Sequence, residues 1–133
     1  ARHEVALSAM TTDWMFTCIA QRLSAALAPH QRRQYYYFFE QVLSFGKSAW
    51  GEYTYCANRV CHGNDLPFWF MNDFILAIEK YTAAEVQLGY TMGDFLTAFV
   101  RNADPNDRSG TATAAAAAPA WPAYTNSSRS LMH

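Results

Sequence analysis

The sequence predicts an α/β fold that is incomplete as an independent domain, and three observations carry that prediction. Two amphipathic helical segments flank a run of aromatic strand-formers that has no polar face. A strand covered on both faces and two one-sided helices cannot cover one another, and an isolated strand is not stable in water. The chain is also 51% hydrophobic and 16% aromatic but only 16% charged, more apolar than a domain of this size usually needs. The sequence therefore expects large neighbours, in the form of a sheet carried by another chain or by a missing segment. Residues 1–133 read as one segment, and Ala1, with no initiator Met, reads as an internal or processed boundary.

The first helix is predicted over Thr12 to Ala28. Phe16, Ile19, Leu23 and Leu27 recur at three- and four-residue steps, Thr12 or Asp13 is placed to cap the start, and Pro29 stops the run. Tyr35-Tyr36-Tyr37-Phe38-Phe39 lacks polar alternation, which is the pattern of a doubly covered strand. Residues 44–65 contain Gly46, Gly51 and Gly63 among scattered polar groups and read as a long ordered loop, a setting that often carries function. Leu66-Pro67-Phe68-Trp69-Phe70-Met71 reads as extended or turn-like because of its proline.

Thr82 with Glu85 three residues later is a capping-box pattern, and Leu88, Met92, Phe95, Leu96 and Phe99 form one stripe of a second helix ending near Asn102. Asp104-Pro105-Asn106 stops it. The stretch 107–120 is dominated by Gly, Ser, Thr and Ala and is predicted to be a surface loop. Trp121-Pro122-Ala123-Tyr124 reads as an anchor back onto the body, followed by a short edge strand at Ser130 to Met132.

The formal net charge of −1 gives neither an acidic nor a basic bias, so no nucleic-acid partner is expected. No apolar run reaches the ~18 residues of a membrane span. Asn126-Ser127-Ser128 is an N-glycosylation sequon, a short pattern often met by chance. With a disulfide it points to a secreted or extracytoplasmic protein.

The densest cluster of chemistry runs from Cys56 to Phe68. Its core, Cys61-His62-Gly63-Asn64-Asp65-Leu66-Pro67-Phe68, resembles the histidine loop of type B carboxylesterases: His-Gly, any residue, an acid, an aliphatic, any residue, an aromatic. The helix containing Cys18, the aromatic run at 35–39, the helix leading into Phe99-Val100-Arg101-Asn102-Ala103-Asp104-Pro105-Asn106, and Trp121-Pro122-Ala123-Tyr124 follow in that family's order. The helix-end segment is similar to Phe-Ala-Arg-Thr-Gly-Asp/Asn-Pro-Asn, with Val100 in place of Ala and Asn102-Ala103 in place of Thr-Gly. The resemblance spans about residues 11–132 and includes cholinesterase-like proteins.

The resemblance implies the C-terminal part of an α/β-hydrolase fold, in the order helix, buried strand, histidine loop, helix, short edge strand. It implies His62 as the general base of a Ser-His-Glu/Asp triad acting on an ester substrate, a role that suits imidazole with its reference pKa of ~6.5. Such hydrolases carry serine, acid and histidine in that chain order. The nucleophile and acid are then expected on the remaining N-terminal part of the hydrolase domain, so this chain alone is inactive. No Gly-x-Ser-x-Gly elbow occurs, and Gly46-Lys47-Ser48-Ala49-Trp50 is a near miss. Gly63 and Asp65 are implied to support the loop, the triad acid coming from elsewhere. The ordinary alternative for His62 is a loop histidine satisfied by a backbone carbonyl.

Cys56 and Cys61 have two readings, a short disulfide or a zinc site completed by His62. Zinc needs four placed ligands, and His3, His30 and His133 sit at no recognisable spacing. The disulfide is preferred, as the resemblance also implies, and no metal or cofactor is expected. Closing so small a loop contributes about 2 kcal/mol in the chain-entropy model. Cys18 is read as a buried thiol or as paired outside the chain. Phe68 and Trp69 are candidates for a pocket wall, with core packing the commoner fate of such residues. The alternative function is a non-catalytic cholinesterase-like binding or structural subunit of a larger assembly, because fold does not fix function.

Overall fold

A computed structural model of the chain describes residues 2–109 and 118–125. The chain divides into two compact units. The first takes residues 2–36 with 122–125, and the second residues 37–109 with 118–121. No described helix is long and apolar enough to cross a membrane. The expected edge strand at 130–132, Asn126, and residues 110–117 of the expected loop 107–120 lie outside the described residues.

In the first unit, α1 (Arg2–Thr12) runs through a π-helical turn (Asp13–Thr17) into α2 (Cys18–Leu27). The helix thus begins well before its expected start. Thr12 is helical at φ −60 and ψ −47 and makes no side-chain cap bond. The expectation of a cap at Thr12 or Asp13 is corrected accordingly. Two apolar stripes recur at three- and four-residue steps along this helical run. Leu7, Met10 and Trp14 form one and Phe16, Ile19 and Leu23 the other, and all six are exposed. Pro29 follows the end of α2, where the Ala28 N–H bonds to the Ser24 carbonyl.

The doubly covered strand at Tyr35–Phe39 is not observed, and the described residues contain no strand at all. Tyr35 makes one isolated antiparallel bridge with Ala123, and the Tyr124 N–H donates to the Gln34 carbonyl at 2.7 Å. Tyr37 and Phe38 are 37% and 38% exposed. The physical reason is a shortage of neighbours: a ladder needs a partner strand running alongside, and the described residues offer a single bridge.

The second unit has its own core of Leu43, Phe45, Phe68 and Met92, with Phe39, Trp50, Trp69, Tyr81 and Leu88 packed against it. Between 44 and 65 the expected long loop contains a short helix, α3 (Gly46–Trp50), and a 3₁₀ turn (Cys56–Asn58). The segment expected to be extended at 66–71 instead opens as α4 (Leu66–Trp69), with Pro67 in its first turn. Proline's fixed φ and missing N–H cost nothing there, because a first-turn N–H has no intrahelical acceptor. A further short helix, α5 (Asp73–Ile78), is capped by the Asn72 side chain accepting from the Ile75 N–H at 3.0 Å.

The long helix α6 (Ala83–Asn102) carries the expected capping box. The Glu85 N–H donates to Thr82 Oγ1, and Glu85 Oε2 accepts from the Thr82 N–H at 2.7 Å. Met92 and Phe95 of the predicted stripe are buried and Leu88 packs against the core, but Leu96 and Phe99 are exposed, and Ala98, outside that stripe, is buried instead. Gly89 lets Met71 approach, since a Cβ there would come within 2.6 Å of the Met71 methyl carbon. The helix ends at Ala103, left-handed at φ 55. Asn106 and Trp121 then bind each other twice, Trp121 N–H to Asn106 Oδ1 at 2.6 Å and Asn106 Nδ2 to the Trp121 carbonyl at 2.9 Å.

Glu85 is only 2% exposed. Burial pushes its carboxyl pKa up, but the donors on Ser44 and Thr82 outweigh burial and hold it below its ordinary value of 4.5. A depressed carboxyl stabilises the folded state fully above its unfolded value, and that contribution disappears as pH falls through the folded value. Replacing Glu85 with Gln puts an amide donor among donors and should cost about 2 kcal/mol. Urea unfolding midpoints between neutral and acid pH test this: the wild-type advantage over E85Q should shrink on acidification.

Candidate functional site

The histidine-bearing loop is built on a close approach of two short helical turns. Gly46, at the start of α3, is buried against the backbone of Ala57, and a Cβ there would overlap the Ala57 carbonyl oxygen. This contact seats the 3₁₀ turn that begins at Cys56. Cys56 and Cys61 are joined by a disulfide with their Cα atoms 5.7 Å apart. The zinc reading ends here, because sulfurs bonded to each other are not thiolate ligands. The ring they close ends one residue before His62.

Cys61, His62, Gly63 and Asn64 form a reverse turn closed by the Asn64 N–H donating to the Cys61 carbonyl at 3.1 Å. Gly63, third in the turn, has φ 88, a conformation that glycine adopts without a Cβ penalty. His62 sits second, exposed at the tip. A second turn follows at once, the Leu66 N–H bonding to the Gly63 carbonyl at 3.1 Å, and leads into α4.

Asn64 is 1% exposed and its side chain is fully engaged. Its Oδ1 accepts from the Trp50 indole N–H at 3.0 Å, and its Nδ2 donates to the Arg59 carbonyl at 3.2 Å. It fills the position that the motif leaves open to any residue, and nothing in a single sequence marks it out. Asp65 is half-buried and accepts from the Tyr37 hydroxyl at 2.6 Å. Tyr37 accepts in turn from the Trp69 indole at 3.2 Å. Its ring packs edge-on against Trp69 and Trp121, with centroids 5.4 and 6.0 Å away. Burial, and next the hydrogen bond to Asp65, push the Tyr37 hydroxyl up to about 12.

The remaining candidates fall apart spatially or chemically. Phe68, 1% exposed, lies in the core with its ring 5.2 Å from Phe39, and Trp69 is partly buried against that core. Gly46-Lys47-Ser48-Ala49-Trp50 is a helix, so Ser48 is not presented on a strand-to-helix elbow. Cys18 is exposed, which corrects its reading as a buried thiol. Near the disulfide, Thr54, Tyr55, Asn58 and Arg59 line an open depression, with the Arg59 guanidinium 4.5 Å from the Tyr55 ring centroid. The loop therefore presents one exposed imidazole on a turn braced from both sides.

A family model described as "Carboxylesterase family" matches residues 1–133. The chain is 27% identical over 129 residues to acetylcholinesterase 1 of Caenorhabditis elegans, a match covering 96% of this chain and 19% of that protein. The chain thus spans about a fifth of the length of this curated relative. No solved structure matches.

Two outcomes follow from the bracing of the loop. Gly46→Ala forces backbone apart rather than a flexible side chain, so it should destabilise the second unit by about 1–3 kcal/mol and speed reduction of the Cys56–Cys61 disulfide under limiting reductant, read by thiol alkylation and mass spectrometry. Raised above its unfolded value, the Tyr37 hydroxyl stabilises the fold below about pH 10, and this contribution is lost as pH rises toward about 12. In alkaline denaturation, Tyr37→Phe should remove that part of the pH dependence.

Proposed function

The chain belongs to the carboxylesterase family, and on that premise we propose that it is the part of a serine carboxylester hydrolase that supplies the triad histidine, His62. Membership in the family implies the α/β-hydrolase fold, with serine, acid and oxyanion hole carried on the remaining N-terminal part of the hydrolase domain. The observation that carries the proposal is the coincidence of the histidine motif with an exposed, braced turn: the one residue of the turn aimed at chemistry is left open to solvent.

In the proposed reaction, His62 accepts the serine proton as the hydroxyl attacks the ester carbonyl. It then delivers that proton to the leaving alcohol, leaving an acyl-enzyme. Water, activated by the same imidazole, attacks the acyl-enzyme and releases the acid. Gly63 supplies the turn, and Asp65, held by Tyr37, supports the loop rather than serving as the triad acid. The disulfide supports an extracytoplasmic setting, where such a bond persists.

The test is labelling of the intact protein with a serine-reactive fluorophosphonate. A single labelled serine in a Gly-x-Ser-x-Gly segment is expected, with label incorporation falling steeply and kcat for a simple aryl ester falling by about 10⁶-fold in His62→Ala. A protein without a serine at the elbow, or one whose labelling is indifferent to His62→Ala, overturns the proposal in favour of a non-catalytic binding subunit.

A further inference from the structure

Among the residues of the loop, Asn64 combines the deepest burial with the greatest number of bonds to the backbone around His62. Its own N–H closes the turn onto the Cys61 carbonyl. Its side-chain amide reaches into the disulfide ring to hold the Arg59 carbonyl, and its carbonyl oxygen takes the Trp50 indole N–H from α3. His62 thus stands between Arg59 and Asn64, which the buried Asn64 side chain ties together, while the Asn64 N–H holds the Cys61 carbonyl. Trp50 is itself packed against the core, so the frame of the turn is referred to the rigid part of the unit.

We propose that Asn64 is a positioning residue for His62, and that the Trp50–Asn64–Arg59 bracket sets the direction in which the imidazole projects from the turn. This rests on the reading of His62 as general base. The argument is geometric. An imidazole on a two-residue turn tip inherits its direction from the turn backbone. Proton transfer to a serine oxygen tolerates little misplacement, an error of 1 Å costing on the order of 100-fold in rate. The buried Asn64 amide holds that backbone from beneath, through the Arg59 carbonyl and the Trp50 indole. Asparagine suits the place because one end must accept from an indole N–H while the other donates to a carbonyl. Neither Asp nor Leu offers both.

The experiment uses the intact protein and three variants. Trp50→Phe keeps the aromatic bulk and deletes one donor. Asn64→Ala deletes both side-chain bonds. Asn106→Ala, a control, deletes the paired bonds to Trp121, away from the loop. Carbethoxylation of His62 by diethyl pyrocarbonate, timed by mass spectrometry of the His62 peptide, reports the ring whether or not the protein hydrolyses esters.

We expect the His62 modification rate to change several-fold in Asn64→Ala and in the same direction, less strongly, in Trp50→Phe. It should stay constant in Asn106→Ala even where Tm falls. With ester substrate, kcat should fall about 100-fold in Asn64→Ala and about 10-fold in Trp50→Phe while KM stays within two-fold. If Asn64→Ala does not fold, Trp50→Phe decides. A modification rate equal to the parent's in the folded variants overturns the inference, as does a rise in KM at constant kcat. A parent that takes no fluorophosphonate overturns the proposed function instead, and the modification rates still decide whether Asn64 orients the ring.

Discussion

The second unit depends on one buried carboxylate. Glu85 gathers the N–H and hydroxyl of Ser44 and the N–H and hydroxyl of Thr82, binding the first turn of α6 to a segment 41 residues earlier in the chain. A capping box ordinarily satisfies only its own helix. Here the same carboxylate also fixes residues 43–46, and three consequences follow along the chain. Leu43 and Phe45 are held in the core, Phe45 packs against Tyr81 with ring centroids 4.4 Å apart, and Gly46 is delivered to the Ala57 carbonyl. The disulfide and the turn bearing His62 are built on that last contact.

From there the support of the loop divides into two branches with different chemistry. One is amide-based and buried: Trp50 to Asn64 to Arg59. The other is phenol-based and half-exposed: Trp69 to Tyr37 to Asp65. A buried amide bracket is insensitive to pH, and the polar side-chain atoms that are fully buried in the described residues all have partners. The phenol branch involves an ionisable donor, but burial and the neighbouring carboxylate keep its proton on far above neutrality. The donated protons of both branches therefore stay in place at neutral pH.

The parts of this arrangement that the sequence reveals are those governed by local rules. Thr82 and Glu85 stand at capping spacing, and Leu88, Met92 and Phe95 of the α6 stripe follow the helical period onto the core. The motif around His62 is legible because its spacing is itself the signal. What escapes is what depends on distant contacts. Asn64 and Trp50 find each other across 14 residues and Ser44 finds Glu85 across 41, and neither pair has a periodicity to betray it. Pro67 misleads because proline opposes a helix everywhere except its first turn, which is where it falls. Tyr35 to Phe39 misleads differently. Its composition describes a strand in a complete sheet, and only one bridge of that sheet is present among the described residues.

The two units accordingly differ in what holds them. The second has a closed core, a disulfide and satisfied buried polar groups, so the direction of the His62 loop is an internal property of that unit. The first exposes Leu7, Met10, Trp14, Ile19 and Leu23 along its helical run, Trp14 at 76%. Apolar side chains of this size gain about 1.5–3 kcal/mol each on full burial, and here they leave most of that gain unrealised. The family's fold places helices against the faces of a sheet, where such side chains would be covered. Order at the histidine loop is therefore specified locally, by short-range turns and two buried polar side chains, whereas the helical run leaves its large apolar side chains exposed.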